Sequence, residues 1–128
     1  MIDHLSLVVS DYEKSKAFYS RALAPTGHSK VVELAATRPG QSASAGFCHA
    51  DGSDVWISQG DPKTSPIHIA FRVPTRAAVD AFHEAAVAAG GKDNGAPGLR
   101  AKYHPNYYGA FVLDPDGHNI EAVCHEAP

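Results

Sequence analysis

The order of secondary-structure signals runs through the chain twice, and this repetition restricts the fold more than any single motif. Each half opens with a strand-like run and a capped helix, then shows three further strand signals. In the second half the opening run is Ile67-His68-Ile69-Ala70-Phe71-Arg72-Val73, bounded by Pro66 and Pro74. Ile67, Ile69, Phe71 and Val73 alternate onto one face, and His68, Ala70 and Arg72 take the other. Residues 2–9 behave alike: Leu5, Leu7 and Val9 share one face, His4 and Ser6 the opposite one. Near the end of the chain Ile120, Ala122 and Cys124 share a face, with Glu121 on the other. Two histidines and one carboxylate, each on the polar side of a strand, are the ligand types of a two-histidine, one-carboxylate metal site.

Between these runs the punctuation is clear. Ser10 with Glu13 predicts a capping box for the first helix, and Asp11 adds negative charge at its positive end. Ala17, Phe18, Ala22 and Leu23 supply a buried stripe, and Pro25 and Gly27 end the helix. Strands are predicted over 31–36, 45–49 and 54–58, the last two around an Asp51-Gly52 hairpin turn. Residues 60–65 read as a linker. The second helix is capped by Thr75, buries Val79, Phe82, Ala86 and Ala89, and stops at Gly90-Gly91. Residues 92–106 read as a weak strand and a loop, 108–113 as a strand, and 118–124 as the last strand. Asp114-Pro115-Asp116-Gly117 makes the tight turn between those two.

The expected fold is α+β: one domain, residues 1–128, of two βαβββ modules at about 1–60 and about 66–128. Each helix covers the outer face of its sheet. Two such sheets placed edge to edge make an open, curved, mixed cup, with His4, His68 and Glu121 on its inner faces. A net charge of −3 argues against nucleic acid as a partner. No apolar run approaches the roughly 20 residues that span a bilayer, and no signal-peptide pattern is present. Two cysteines are too few for a disulfide framework. A reducing cytoplasm is the expected location.

The segments Asp3-His4-Leu5-Ser6-Leu7-Val8-Val9-Ser10-Asp11, Ser15 to Leu23, Ile67-His68-Ile69-Ala70-Phe71 and Asp114-Pro115-Asp116-Gly117-His118-Asn119-Ile120-Glu121 together resemble the vicinal oxygen chelate superfamily. This is the glyoxalase, bleomycin-resistance and extradiol-dioxygenase group. The resemblance implies paired βαβββ modules forming a cup around a divalent metal, often in a homodimer. It implies His4, His68 and Glu121 as ligands. Where a glyoxalase-I-like enzyme offers a ligand glutamate on the strand at 54–58, this chain carries Trp56. An isomerase of that type would lack its base here. Three ligands resemble instead the extradiol dioxygenases, with Fe(II) or Mn(II), or the fosfomycin-resistance transferases, with Mn(II). The transferases place basic residues around the last strand, where this chain has Val123-Cys124-His125.

The segment Arg100-Ala101-Lys102-Tyr103-His104-Pro105-Asn106-Tyr107-Tyr108 is dense in groups that touch ligands. His104 and Tyr108 are the candidates for acid–base chemistry. Arg100, Tyr103, Tyr107 and Trp56 are the candidates for the substrate pocket. His118, just past the turn, reads as solvent-exposed or turn-stabilising. His28, His49, His83 and His125 read as surface residues, and Cys48 and Cys124 as small buried ones. The expected activity is that of a divalent-metal-dependent enzyme (Fe, Mn, Zn or Ni) acting on a small molecule with vicinal oxygens, dioxygenase-like or lyase/isomerase-like. A second reading is a metal-free protein that sequesters an aromatic drug or metabolite. A third is a fosfomycin-type thiol transferase.

Overall fold

A computed structural model describes residues 3–62 and 66–128. Ile2 of the expected first strand and residues 63–65 of the expected linker lie outside the described residues. The first module runs β1 (His4–Val9), α1 (Tyr12–Ala22), a short 3₁₀ turn (Ala24–Thr26), β2 (Lys30–Leu34), β3 (Ser44–Cys48) and β4 (Asp54–Gln59). The second runs β5 (His68–Arg72), α2 (Arg76–Ala88), β6 (Lys92–Leu99), β7 (Tyr108–Leu113) and β8 (Asn119–Cys124). Each module is one four-stranded sheet, in the orders β1-β4-β3-β2 and β5-β8-β7-β6. The first and last strands of a module pair in parallel, and the remaining pairs are antiparallel.

The chain makes both modules by the same local means. Thr75 caps α2, its side chain accepting from the backbone N–H of Ala78. Val79, Phe82 and Ala86 are buried along one face of that helix, as their spacing predicts. The first helix departs from its prediction. Its cap is Asp11, accepting from Lys14 N, and not Ser10. Ser10 is drawn to Asp116 in the turn of the second module, which both its backbone N–H and its hydroxyl contact. A side chain committed to a distant carboxylate is not available to its own helix. The buried face of α1 is Ser15, Phe18, Tyr19 and Ala22, and Ala17 is exposed.

One core serves both modules. The helices contact each other, α1 packs on β3 and β4, and α2 packs on β6, β7 and β8. Leu7, Val9, Phe18, Phe47, Ile57, Phe82, Val112 and Ile120 all fall in this core. Tyr19 crosses the seam, its buried hydroxyl donating to Asp114 Oδ2 at 2.6 Å. The other face of each sheet stays open, with His4 and His68 both exposed upon it. Among the described residues no strand of one sheet pairs with a strand of the other, so the two mixed sheets do not close on each other.

Candidate metal and ligand site

The chemistry-bearing groups gather on the open face of the second sheet. Glu121 sits mid-strand in β8, between Ala70 of β5 and Phe111 of β7. Its side chain is only 1% exposed, yet it faces away from the apolar core. Such a buried carboxylate needs partners. Oε1 accepts from the Tyr107 hydroxyl at 2.5 Å. Oε2 lies 3.0 Å from His68 Nε2. Room for the first contact comes from Gly109, where an added Cβ would stand 3.0 Å from Glu121 Oε1 and 3.2 Å from Tyr107 Cε1. Gly109 was missed in the sequence. The available signal was a glycine inside a strand, which marks a close approach.

The tautomer of His68 follows from its other nitrogen. Nδ1 lies 2.9 Å from the carbonyl oxygen of Asn119, which can only accept, so Nδ1 carries the hydrogen. A neutral ring then turns the lone pair of Nε2 toward a carboxylate oxygen. Two lone pairs at that separation call for positive charge between them, either a proton or a bound cation. The 3.0 Å gap also suits two adjacent ligands set at a right angle, each about 2.1 Å from one ion. Locking Nδ1 to a carbonyl is the outer-shell arrangement usual for a ligating histidine. The ring also stacks on Phe111, with centroids 6.1 Å apart and planes 28° apart.

His4 shows the same preparation at a different place. Its Nδ1 lies 2.7 Å from Asp3 Oδ1, leaving Nε2 outward, and its side chain is 64% exposed. It belongs to the other sheet. Among the described residues of one chain, no three His, Cys, Asp or Glu side chains converge on a common point. The structure therefore brings His68 and Glu121 together, but not His4 with them.

Trp56 stands on the open face of β4. It pairs with Ser6 as Glu121 pairs with Ala70, so it occupies the first module's counterpart of Glu121. The indole lies over Gly46, where an added Cβ would fall 2.7 Å from Trp56 Cζ2. It lines a pocket with Ser6, Ser44 and Ser58 and is no part of the buried core.

Of the loop candidates, Tyr107 reaches the site. Burial, then its bond to Glu121, pushes the phenol up to about 12, so it stays a donor throughout the neutral range. Tyr103 packs edge-on against Tyr107, at 5.1 Å between centroids, but is itself largely exposed. Arg100 lies over Phe111 at 5.7 Å, with Nη2 donating to Ala96 O. His104 is exposed, its Nδ1 accepting from Asn106 N and its ring against His125, so it does not touch Glu121. Tyr108 corrects the expectation of an acid–base role. Strand alternation sends it to the face opposite Tyr107, where its hydroxyl donates to Asp80 on α2.

Of the histidines expected at the surface, His28 is not there. His28 and His118 are buried, and His49, His83 and His125 are half-buried. His118 is turn-stabilising but not solvent-exposed: its Nδ1 accepts from Ile67 N and its own N–H donates to Asp114. Cys124 is buried, whereas Cys48 is only half-buried.

With this geometry in hand, comparison with known proteins is informative. The family model of the Glyoxalase/Bleomycin resistance protein/Dioxygenase superfamily matches residues 1–122, and the chain belongs to that superfamily. Among solved structures, a glyoxalase/bleomycin resistance protein from Albidiferax ferrireducens T118 is 26% identical, covering 100% of this chain and 99% of that one, with a TM-score of 0.75. A glyoxylase/bleomycin resistance protein/dioxygenase domain from Frankia sp. EAN1pec shares the fold at 20% identity and a TM-score of 0.70, covering 97% and 96% of the two chains. So does a mutant of fosfomycin resistance protein FosX from Listeria monocytogenes, complexed with Mn(II) and 1S,2S-dihydroxypropylphosphonic acid. That structure is 23% identical, covers 97% of this chain and 91% of its own, and has a TM-score of 0.66. No curated protein matches the sequence. No helix among the described residues is long and apolar enough to cross a membrane.

Proposed function

We propose that this chain is a divalent-metal-dependent enzyme acting on a small molecule with vicinal oxygens. The observation that carries the reading is the His68–Glu121 pair: an imidazole nitrogen and a buried carboxylate oxygen 3.0 Å apart on an open sheet face. His68 Nε2 and Glu121 Oε2 would hold the ion. His4 Nε2 would complete the set from a second copy of the chain, because one chain keeps His4 on its other sheet. A bound divalent ion supplies a Lewis acid with positions open to two neighbouring substrate oxygens. The Mn(II) complex of FosX is a precedent within this fold.

The chain's own residues do the rest. Tyr107 fixes the Glu121 carboxylate through Oε1 and leaves Oε2 facing His68. Asn119 holds the His68 ring through its carbonyl. Trp56 offers an apolar wall that suits a ring or alkyl part of the substrate. Arg100 presents a guanidinium near the same face. Ring cleavage of the dioxygenase type suits a three-ligand set, and lyase or isomerase chemistry would need a base other than the residue at Trp56.

Trp56 itself favours a second reading, a metal-free protein that sequesters an aromatic drug or metabolite, because it puts a flat apolar surface where a ligand carboxylate would stand. A thiol transferase has less support, since Ala122, Val123 and Cys124 beyond Glu121 are buried and uncharged.

Elemental analysis of protein purified without a histidine tag separates these readings. Wild type is expected to carry about one transition metal per chain, lost in His68→Ala and Glu121→Ala. Mixing His4→Ala with Glu121→Ala chains is expected to restore part of the uptake, because one of the two shared sites is then intact. A wild type that takes up none of Fe(II), Mn(II), Zn(II) or Ni(II) leaves the binding protein as the better account.

A further inference from the structure

A cavity of about 340 Å³ lies at the seam of the modules, and neither His68 nor Glu121 lines it. Leu5 and Val55 form one wall, Ile69 and Phe71 of β5 the other. The size and apolar walls are those of a small-molecule pocket. Its ionisable lining is mainly acidic. Three acidic residues, Asp3, Asp51 and Asp54, line it, against one basic residue, the exposed Arg72. We propose that this cavity is a second binding site, taking a small protonated amine with an apolar or aromatic body.

The choice of ligand rests on His28 as much as on the acids. Its side chain is buried, and its ring lies edge-on to Phe71, at 5.3 Å between centroids. Thr26 Oγ1 donates to Leu23 O, so it accepts from Nδ1–H of His28. Nε2 is left as an acceptor for the cavity. Burial, helped by the neighbouring His49 ring, lowers the His28 pKa, which keeps the ring neutral and its lone pair available. The Asp51 carboxyl is held to about 2 by the Ser53 hydroxyl and backbone N–H, so it stays charged.

An ammonium group brings three donors to these acceptors. The Phe71 ring adds a face for a cation. The excess of acidic residues around the cavity disfavours an anion. A bare metal ion is not the match, because no three of the donor side chains converge on one point among the described residues. The proposal is independent of the metal reading at Glu121.

The test is a titration of the isotope-labelled full chain, followed by NMR, with phenethylammonium chloride as probe. Phenylacetate and 2-phenylethanol serve as anionic and neutral controls of similar shape. Saturable binding of the amine is expected, with shifts centred on residues 26–28, Asp54 and Phe71. Asp51→Asn combined with Asp54→Asn is expected to weaken it about tenfold or more. His28→Gln and His28→Leu are both expected to weaken it several-fold, and Glu121→Ala to leave it unchanged. The proposal is overturned by no saturation up to about 10 mM, by equal binding of either control, by shifts centred on His68, or by carboxamide and His28 variants that bind as wild type does.

Discussion

Trp56 and Glu121 hold the same register position in the two modules. Ser6 opposes the first across β1 and β4, and Ala70 opposes the second across β5 and β8. The neighbouring strands compensate in opposite senses. Gly46 on β3 makes way for the indole, whereas Phe111 on β7 sits beside the smaller carboxylate. One module therefore presents a flat aromatic surface, the other an imidazole beside a carboxylate.

That relationship predicts a spectroscopic effect. Trp56 is the single tryptophan of the chain. Gly46→Ala places a methyl group where the indole now lies, so the ring has to shift. The emission maximum of the folded protein is expected to move to longer wavelength, and stability to fall by about 1–3 kcal/mol. Unchanged emission would mean that the indole does not rest on Gly46.

Tyr107→Phe removes the donor that satisfies Glu121 Oε1 in a nearly closed environment. Leaving a buried carboxylate oxygen without its partner is expected to cost roughly 1–3 kcal/mol in urea unfolding. Tyr108→Phe removes a bond to the exposed Asp80 and is expected to cost less. Equal losses in the two variants would contradict the assignment of Tyr107 to the site.

The seam between modules depends on Tyr19. Its hydroxyl donates to Asp114 Oδ2, while Oδ1 already accepts from the N–H groups of Asp116 and His118. Tyr19→Phe is expected to cost about 1–3 kcal/mol and to loosen the turn at 114–117, seen as faster amide exchange there. Tyr12→Phe, whose partner Glu33 is exposed, should leave that exchange unchanged.

His28 predicts a pH dependence of stability. Its pKa in the folded protein is lowered, first by burial and then by His49. The unfolded chain therefore binds a proton at higher pH than the folded one. The contribution is fully present above the ordinary histidine value of about 6.5 and is lost as pH falls from there through the lowered folded value. Urea midpoints measured from pH 8 to 5 should fall more steeply for wild type than for His28→Gln. Parallel curves would show that His28 does not couple protonation to folding.

Much of the architecture was legible because its causes are local. Alternation fixed which side chains share a strand face, Thr75 fixed the start of α2, and Asp114-Pro115-Asp116-Gly117 fixed the last turn. The open-face positions of His4, His68 and Glu121 follow from the same alternation, since adjacent strand residues must point to opposite sides. Tyr107 and Tyr108 show the limit of that rule. Alternation requires them to diverge, but which one meets Glu121 depends on the pairing of Phe111 with Glu121 across β7 and β8.

The rest depended on groups far apart in the chain. Ser10 lost its cap to Asp116, 106 residues away. His28 and His118 carry polar rings that predict exposure, yet the seam buries them, His28 against the ring of Phe71 and His118 with Ile67 N as its partner. His4 shares a residue type and a strand face with His68, but β1 pairs with β4 and β5 with β8, which leaves the two on separate sheets. The sequence by itself determined the elements and their faces, because helix caps, turns and alternation act over a few residues. Only the tertiary structure decided which faces meet, because burial and ion pairing depend on the approach of segments that local rules never relate.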